Sequence, residues 1–294
     1  MNLSFKNFSI RIIGYLPYII FFYVIYTIEI FRELLLYNGL LQLVLFLIVA
    51  CIPAYLTKRM SYVDIAWPWG LVLIGALVLL LGDGYKPRIF LISGMYLFSG
   101  LRMGIGALIL FKKGHLDSEL SRYTYQRRRW EKAGYKNLDI SLQYEIMIQC
   151  FANITFLALP AILMAQNTAT SISVIEIIGA SLWAIWFVLE HVSDMQKQQF
   201  LKKSFLEKKK KQVCNAGFWK YSRHPNYFAE WMVWNSMILS AFFSYTTFYS
   251  QDKLFVWGAV FIALLYVSYI MYTTLVYYTG AVPSEYYTLQ KRPN

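Results

Sequence analysis

Apolar segments of roughly 20 residues recur along the 294-residue chain, and they constrain the fold more than any other feature. A helix of that length crosses the hydrocarbon core of a bilayer. Only 15% of the residues are charged, whereas soluble domains carry about 25%, so the segments indicate membrane spans. The alternating strand pattern of a β-barrel is not visible. The sequence therefore predicts an all-α, multi-pass transmembrane helical bundle with about eight spans. The predicted spans are 12–31, 39–57, 65–82, 88–111, 146–165, 172–191, 227–248 and 254–278.

Basic residues are distributed unevenly between the predicted loops. They concentrate in 112–136 and 197–223, while the alternate loops hold only a few, Arg32 and Arg88 among them. By the positive-inside rule, both termini and both long loops are expected in the cytoplasm. The net charge of +12 is then mainly a topology signal. No nucleic-acid partner is expected, because no reader motif accompanies the charge.

Three cysteines, Cys51, Cys150 and Cys214, match neither a disulfide framework nor a metal-binding spacing, so no metal is expected. The first apolar run is too long for a cleavable signal peptide. The lysine run at 207–212, EKKKKQ, is expected to be a solvated loop that touches anionic headgroups. We expect an integral protein of the bacterial inner membrane or the endoplasmic reticulum.

Ionisable residues inside the spans mark candidate functional positions, since such groups are costly in a membrane. Asp64 begins the third span, and Arg102 lies in the middle of the fourth. Glu190 and Asp194 leave the sixth span four residues apart and therefore share one helix face. Glu176, near the other end of that span, is expected to be interfacial.

The stretch 217–231, GFWKYSRHPNYFAEW, places several polar groups where the seventh span begins. Pro225 favours a helix start, because its missing N–H costs nothing at the first helical position. Free N–H groups at that start, next to Arg223 and His224, predict an anion-binding site. The alternative is that these two cations only anchor the helix at the headgroups.

Asn226 and Glu230 repeat the four-residue spacing on the seventh span. Glu190 and Asp194 lie at the same predicted end of their own helix. We therefore expect all four side chains to converge in a polar cavity open to the cytosol, with Arg102 as an internal cation.

The loop 117–136 forms a second basic patch with interleaved aromatic residues. Arg127, Arg128 and Arg129 have the planar guanidinium groups that bind phosphate through paired hydrogen bonds. A headgroup-binding amphipathic helix is an alternative of nearly equal weight.

GFWKYSRHPNYFAE resembles the signature of the membrane steroid 5α-reductase-like superfamily, in particular its DUF1295 branch. The resemblance covers about residues 60–292, and spans 1 and 2 lie outside it. It divides the chain into two N-terminal helices, 1–59, and a catalytic domain, 60–294. Further matches, in order, are VDIAW at 63–67, an Arg after Gly-Leu at 100–102, SRYTYQRRRW at 121–130 and E-x-x-x-D-x-Q-K at 190–197.

The resemblance implies an NADPH-dependent oxidoreductase that reduces a carbon–carbon double bond of an enone in a steroid or other lipid. The substrate would reach the site within the bilayer, and the active site would face the cytoplasm. The resemblance implies that Asn226 and Glu230 line the nicotinamide end of the cofactor site. The other implied or expected cofactor contacts are Arg102, Arg128, Glu190, Asp194, Lys197, Tyr221, Arg223, His224 and Tyr227.

Hydride delivery to the β-carbon of an enone moves negative charge onto the carbonyl oxygen, which a hydrogen-bond donor stabilises. The resemblance implies an acidic residue and a tyrosine for this task. Asp64 occupies roughly the acidic position, where burial would keep it protonated and able to donate. The family's tyrosine position is Ser99 here, so Tyr62 and Tyr96 are the nearby candidates.

Two other functions remain open. Isoprenylcysteine and phospholipid methyltransferases also carry an R-H-P-x-Y segment at a late membrane helix and bind S-adenosylmethionine there. Asn226 beside Pro225, the segment 194–197 and the arginine-rich loop favour the reductase. A non-catalytic membrane scaffold is the third hypothesis. Gly100, Gly104 and Gly106 indicate close helix packing.

Overall fold

A computed structural model describes the backbone of residues 3–208 and 212–291 and the side chains of 9–208 and 212–290. Within these ranges the regular structure is helical and no strand is present. The central lysines of the EKKKKQ run lie outside the described residues. The α-helices are α1 Leu3–Thr27, α2 Glu29–Phe46, α3 Ile52–Thr57, α4 Val63–Leu81, α5 Lys86–Lys112, α6 Ser121–Lys132, α7 Leu138–Ile154, α8 Leu159–Gln166, α9 Val174–Leu206, α10 Pro225–Phe248, α11 Leu254–Thr273 and α12 Ala281–Lys291.

Seven segments of the described residues are long and apolar enough to cross a membrane, as expected of an integral membrane protein. The sequence predicted about eight spans, and the difference is α10. That helix has 24 residues, but its Trp, Tyr, Ser and Asn side chains make it less apolar than the rest. The orientation of the helices stays a prediction of the charge pattern. The seven segments are Ser9–Thr27, Glu29–Thr57, Val63–Leu81, Lys86–Lys112, Leu138–Gln166, Val174–Leu206 and Gln251–Gln290.

The first two helices meet at Ile28, whose extended backbone (φ −89°, ψ 104°) ends one helix before the next begins. The predicted boundary between residues 31 and 39 is therefore wrong, and Arg32 lies within α2 rather than in a loop. Its guanidinium packs 4.9 Å from the ring centroid of Tyr26. The apolar pattern continues through Ile28, so hydropathy alone does not reveal the turn.

The second span continues without a loop from α2 to α3 through a π-helical turn, Leu47–Cys51. Pro53 follows directly, in the first turn of α3. Proline provides no backbone N–H, and a π turn is one way in which a helix accommodates such an interruption. The span ends at Lys58, which adopts a left-handed conformation with φ 59°.

The fifth span is broken between Ile154, the last residue of α7, and Leu159, the first residue of α8. Backbone groups that a break frees inside a membrane need partners within the protein. Asn38 of α2 supplies them, since its amide donates to the carbonyls of Asn153 and Ile154 at 3.0 and 3.1 Å. Gln42 donates to the Asn38 side chain at 3.2 Å. The buried amides of α2 thus stabilise the break.

Two pairs of neighbouring helices approach at backbone distance. A Cβ atom on Gly100 of α5 would lie 2.7 Å from the carbonyl oxygen of Pro68 on α4. One on Gly179 of α9 would lie 2.7 Å from the backbone nitrogen of Ser240 on α10. The largest buried cluster joins α1 and α2 to later helices through residues such as Phe31. The division of the chain at residues 59 and 60 stays an expectation.

Arg88 and Glu176 form a fully buried ion pair between α5 and α9, the outer pair. Arg88 also donates to the carbonyls of Asn167 at 3.0 Å, Ala169 at 2.8 Å and Ser171 at 2.6 Å. Glu176, which was expected to be interfacial, lies in the first turn of α9 and is fully buried in the protein. The negative charge of Glu176 is tolerated in the interior because Arg88 neutralises it. Backbone carbonyls accept hydrogen bonds from the remaining N–H groups of the Arg88 guanidinium.

Candidate functional site

A cavity of about 750 Å³ lies between α4, α5, α6, α9 and α10. Its volume falls within the range of about 300–1,000 Å³ that is usual for small-molecule sites. The lining combines apolar side chains with a dense group of charged and polar ones. The predicted site residues that line it are Asp64, Arg102, Glu190, Asp194, Asn226, Tyr227 and Glu230.

Arg102 is the centre of the polar cluster on the α5, α9 and α10 side. Arg102 donates to Glu190 and, over 3.1 Å, to Asp194. We term the ion pair of Arg102 with these two carboxylates the inner pair. The other carboxylate oxygen of Asp194 accepts from the Asn226 amide at 3.0 Å. The four-residue spacings on α9 and α10 therefore bring their side chains together, as the sequence predicted.

The inner and outer pairs join the same two helices. Arg102 follows Arg88 by fourteen residues on α5, and Glu190 follows Glu176 by fourteen residues on α9. Fourteen residues are close to four helical turns, or about 21 Å. Because both pairs form, α5 and α9 run in the same direction and are linked at two depths.

Two polar groups of this cluster remain available to a ligand. The Asn226 Oδ1 atom is buried and has no hydrogen-bond partner among the described residues. Glu230, one turn further along α10, is close enough to interact electrostatically with Arg102, Asp194 and Arg122. The cavity wall therefore presents hydrogen-bond acceptors beside an internal cation.

Asp64 forms a second polar group with two residues of α6. One of its carboxylate oxygens accepts from Arg122, and the other accepts from the hydroxyl of Tyr123. Because both oxygens accept, the expected role of Asp64 as a neutral donor does not match this geometry. Burial, and then the charge of Asp64, raise the pKa of Tyr123 well above its usual value, so that hydroxyl keeps its proton.

Arg122 and Tyr123 were not predicted from the sequence. The three consecutive arginines at 127–129 were chosen as candidates instead, because their positive charge is concentrated. The detectable signal was periodicity. Tyr123, Gln126 and Trp130 are the buried residues of α6, and their spacing of three and four places them on one helix face. Arg122 and Tyr123 both line the cavity, and Arg122 Nε is a buried donor without a partner in the described part of the chain.

The two tyrosines proposed from sequence lie elsewhere. Tyr96 is fully buried, and its hydroxyl donates to the carbonyl of Leu157 in the break between α7 and α8. Tyr62 accepts from Arg59 at 3.3 Å through its hydroxyl. Neither lines the cavity, so this placement favours neither as the carbonyl donor.

The predicted anion site at the start of α10 holds a carboxylate of the protein itself. His224 Nε2 lies 3.1 Å from Oε1 of Glu285 on α12, and Arg223 lies 3.7 Å from the same oxygen. The His224 ring stacks on Tyr227 with centroids 5.3 Å apart. Tyr221 is 83% exposed and does not line the cavity.

The consecutive arginines of α6 also have internal partners. Arg127 pairs with Glu119 at 3.2 Å. Arg128 donates to the hydroxyl of Tyr286 on α12 at 3.1 Å, and Arg129 donates to a backbone carbonyl that precedes α12 at 3.4 Å. None of the three lines the cavity. Arg128 and Arg129 connect α6 to α12 and the residues before it, whereas Arg127 connects α6 to the segments that precede it.

Lys197 extends along α9 beyond the inner pair, and its ammonium lies 4.5 Å from the ring centroid of Trp219. The Trp219 indole donates to the carbonyl of Ser193 at 2.8 Å. These contacts fold the segment before α10 back onto α9. Among the described residues, no group of three or more His, Cys, Asp or Glu side chains is placed to hold a metal ion.

Comparison with known families gives one match. A family model described as a protein of unknown function (DUF1295) covers residues 49–287. The chain belongs to the DUF1295 family. No curated protein matches it significantly, and neither does any solved structure.

The DUF1295 match includes both polar groups of the cavity, from Asp64 on α4 to Glu230 on α10. It begins at residue 49, inside the continuous second span, about ten residues before the boundary of 60 that the motif resemblance indicated. Of the cavity-lining residues, Tyr18 of α1 lies outside the match.

Proposed function

We propose that this DUF1295 protein binds NADPH in the cavity and reduces the carbon–carbon double bond of an enone lipid. The observation that carries the proposal is the composition of the cavity wall. A buried amide acceptor, Asn226 Oδ1, and a buried guanidinium donor, Arg122 Nε, belong to cavity-lining residues of different helices, and neither has a partner among the described residues.

The residues of α10 fit the nicotinamide end of such a cofactor. Its carboxamide carries an NH₂ donor, and Asn226 Oδ1 is a buried acceptor that lacks a partner among the described residues. Glu230 offers a second acceptor one turn away. A cationic S-adenosylmethionine would also favour carboxylates, but two of the three in this cluster, Glu190 and Asp194, are already paired with Arg102.

The residues of α4 and α6 fit the carbonyl end of an enone. When bound, NADPH would supply a hydride to the β-carbon. The charge that develops on the carbonyl oxygen would be stabilised by Arg122 Nε, and by the Tyr123 hydroxyl once it turns from Asp64 to the substrate. Asp64 positions both donors through its two oxygens. Protonation of the α-carbon from water then completes the reduction.

Nucleotide binding by the purified protein tests the proposal most directly. A ligand at a hundred times its Kd stabilises a protein by about 2.7 kcal/mol, so NADPH should raise the unfolding temperature clearly. NADPH oxidation should follow when long-chain enones are added. Stabilisation by S-adenosylmethionine and not by NADPH would replace the reductase with a methyltransferase. Stabilisation by neither would favour the scaffold.

A further inference from the structure

The end of α5 beyond Arg102 exposes apolar side chains that also form part of the cavity wall. Ile105, Ile109 and Leu110 are 50%, 47% and 46% exposed, and all three line the cavity. Met195 of α9 is 42% exposed and lines it as well. Exposed apolar residues are ordinary on a membrane span, but a side chain that is exposed and also lines an internal cavity marks an opening in the wall.

The packing of α5 against α4 loosens between Gly100 and Gly106. A Cβ on Gly100 would collide with α4 and one on Gly104 would lie 2.9 Å from Trp69 Nε1, whereas one on Gly106 would meet nothing within 4 Å. The expectation of close packing therefore holds at Gly100 and Gly104 and is wrong at Gly106. In the described part of the chain, the last polar links between α5 and α9 are those of Arg102. Among the described residues, side-chain hydrogen bonds therefore connect α5 and α9 as far as Arg102 and not beyond it.

The opening lies within a candidate membrane span. Ile105, Ile109 and Leu110 belong to the segment Lys86–Lys112, which is long and apolar enough to cross a membrane. They lie seven, three and two residues before its basic end, or about 10, 5 and 3 Å along the helix axis. Acyl chains of the adjacent leaflet reach this depth, whereas a water-soluble substrate would have no need of an apolar opening there.

On the basis of the proposed function, we propose that the gap between α5 and α9, flanked by Gly106, Ile109 and Met195, is a lateral slot that admits the substrate from the bilayer. The substrate is then an amphiphile with an enone at its polar end and a long apolar chain. Its polar end reaches the cavity beside Arg102, and its chain remains in the slot.

The chain itself provides a matched pair of variants to test the lateral slot. Gly106→Trp places an indole at the slot, and Gly94→Trp places the same group on the same helix, at a position that does not line the cavity. A Cβ at either residue meets no atom within 4 Å, so both variants should fold. Thermal unfolding in detergent checks this.

Activity is measured with two substrates, 2-cyclohexenone and a hexadecyl-substituted cyclohexenone. Gly106→Trp should raise KM for the long-chain enone at least about tenfold, because loss of even two buried methylenes corresponds to that factor. KM for cyclohexenone, and the Kd of NADPH, should stay within about twofold. Gly94→Trp should leave KM for both enones and the Kd of NADPH unchanged. Equal effects on both enones, or no effect of Gly106→Trp, would overturn the slot.

A second measurement needs no catalysis. The hexadecyl enone with a diazirine on its alkyl chain is photolysed with the protein in vesicles, and the labelled peptides are identified by mass spectrometry. We expect labelling of α5 and α9 beyond Arg102, lost in Gly106→Trp and retained in Gly94→Trp. Labelling confined to other helices would reject the slot. If this pattern appears but no enone is reduced, the slot stands and the proposed reductase activity fails.

Discussion

The outer and inner ion pairs are made of the same residue types on the same two helices, yet their surroundings differ. Arg88 and Glu176 are both 0% exposed, and every nitrogen of the Arg88 guanidinium has an acceptor. In the inner pair, Arg102 Nε has no partner among the described residues, and Asp194 is 35% exposed. The outer pair is complete within the protein, and the inner pair is not.

This difference separates a structural ion pair from a binding site more clearly than charge or burial does. A buried charge is stable when all of its hydrogen bonds are made inside the fold. A buried charge with unmade bonds beside a cavity costs free energy that a ligand can recover. On this criterion, we propose that the end of the bundle that holds Arg102 is the functional end.

The largest expected effect is on stability, at the outer pair. Arg88→Met leaves Glu176 as an uncompensated buried charge and should lower the free energy of unfolding by about 3–5 kcal/mol. Arg102→Met should cost less, about 1–3 kcal/mol, because the cavity gives Glu190 and Asp194 access to water. Denaturant unfolding in detergent measures both. The reverse order would contradict the comparison.

The next largest effect is on turnover at the Asp64 group. Tyr123→Phe removes the hydroxyl that would turn from Asp64 to the carbonyl oxygen in the transition state, and it should lower kcat about a hundredfold. The Kd of NADPH should not change, because the hydroxyl bonds to Asp64 and not to the residues of α10. Tyr125→Phe is the control, since Tyr125 lies on the same helix and packs 5.0 Å from Tyr286. Normal turnover by Tyr123→Phe would remove it from the mechanism.

A smaller effect is expected on cofactor affinity at the open side of the inner cluster. Asn226→Ala removes the free acceptor and should raise the Kd of NADPH about tenfold, the equivalent of one hydrogen bond. Asn235→Ala is the matched control on the same helix, because Asn235 bonds to Trp231 and Ser268 instead. Isothermal titration measures both. Equal losses would show that the effect reflects helix stability rather than contact with the cofactor.

The smallest effect is a pH dependence at the start of α10, where His224 faces Glu285, Arg223 and Lys197. Burial lowers the pKa of His224, with help from the two cations, while Glu285 opposes the shift. A lowered pKa means that the unfolded chain takes up the proton first, so stability should fall as the pH drops below about 6.5. His224→Gln should flatten this slope in thermal unfolding. An unchanged slope would assign it to other groups.

The sequence predicted the inner cluster well because spacing on a helix is a local property. Glu190 with Asp194, and Asn226 with Glu230, share faces by their four-residue separation alone. Asp64 was expected to donate because the resemblance implied an acidic donor at its position. Its partners, Arg122 and Tyr123, belong to another helix, and no spacing revealed them. Contacts between separate helices depend on packing, which no local pattern encodes.

The other differences between the sequence predictions and the structure also arise from contacts between separate helices. Tyr96 was a candidate donor by proximity to Arg102 in sequence, yet its hydroxyl satisfies a carbonyl freed by the break after α7. Pro160 marks the break in the sequence, but the apolar pattern runs on through it, and the partners of its carbonyls lie on α2. In α10, aromatic and small polar side chains lower the hydropathy of a helix that the protein still packs against α9 and α11.

The amides that stabilise the break in the fifth span also affect which part of the chain could fold on its own. Asn38 and Gln42 precede residue 49, where the family match begins. A protein shortened to the matched residues would present the carbonyls of Asn153 and Ile154 to lipid with no donor. During synthesis α2 enters the membrane first, so its amides are in place when α7 arrives. We therefore expect a chain that begins at residue 49 to fold less stably than the full chain.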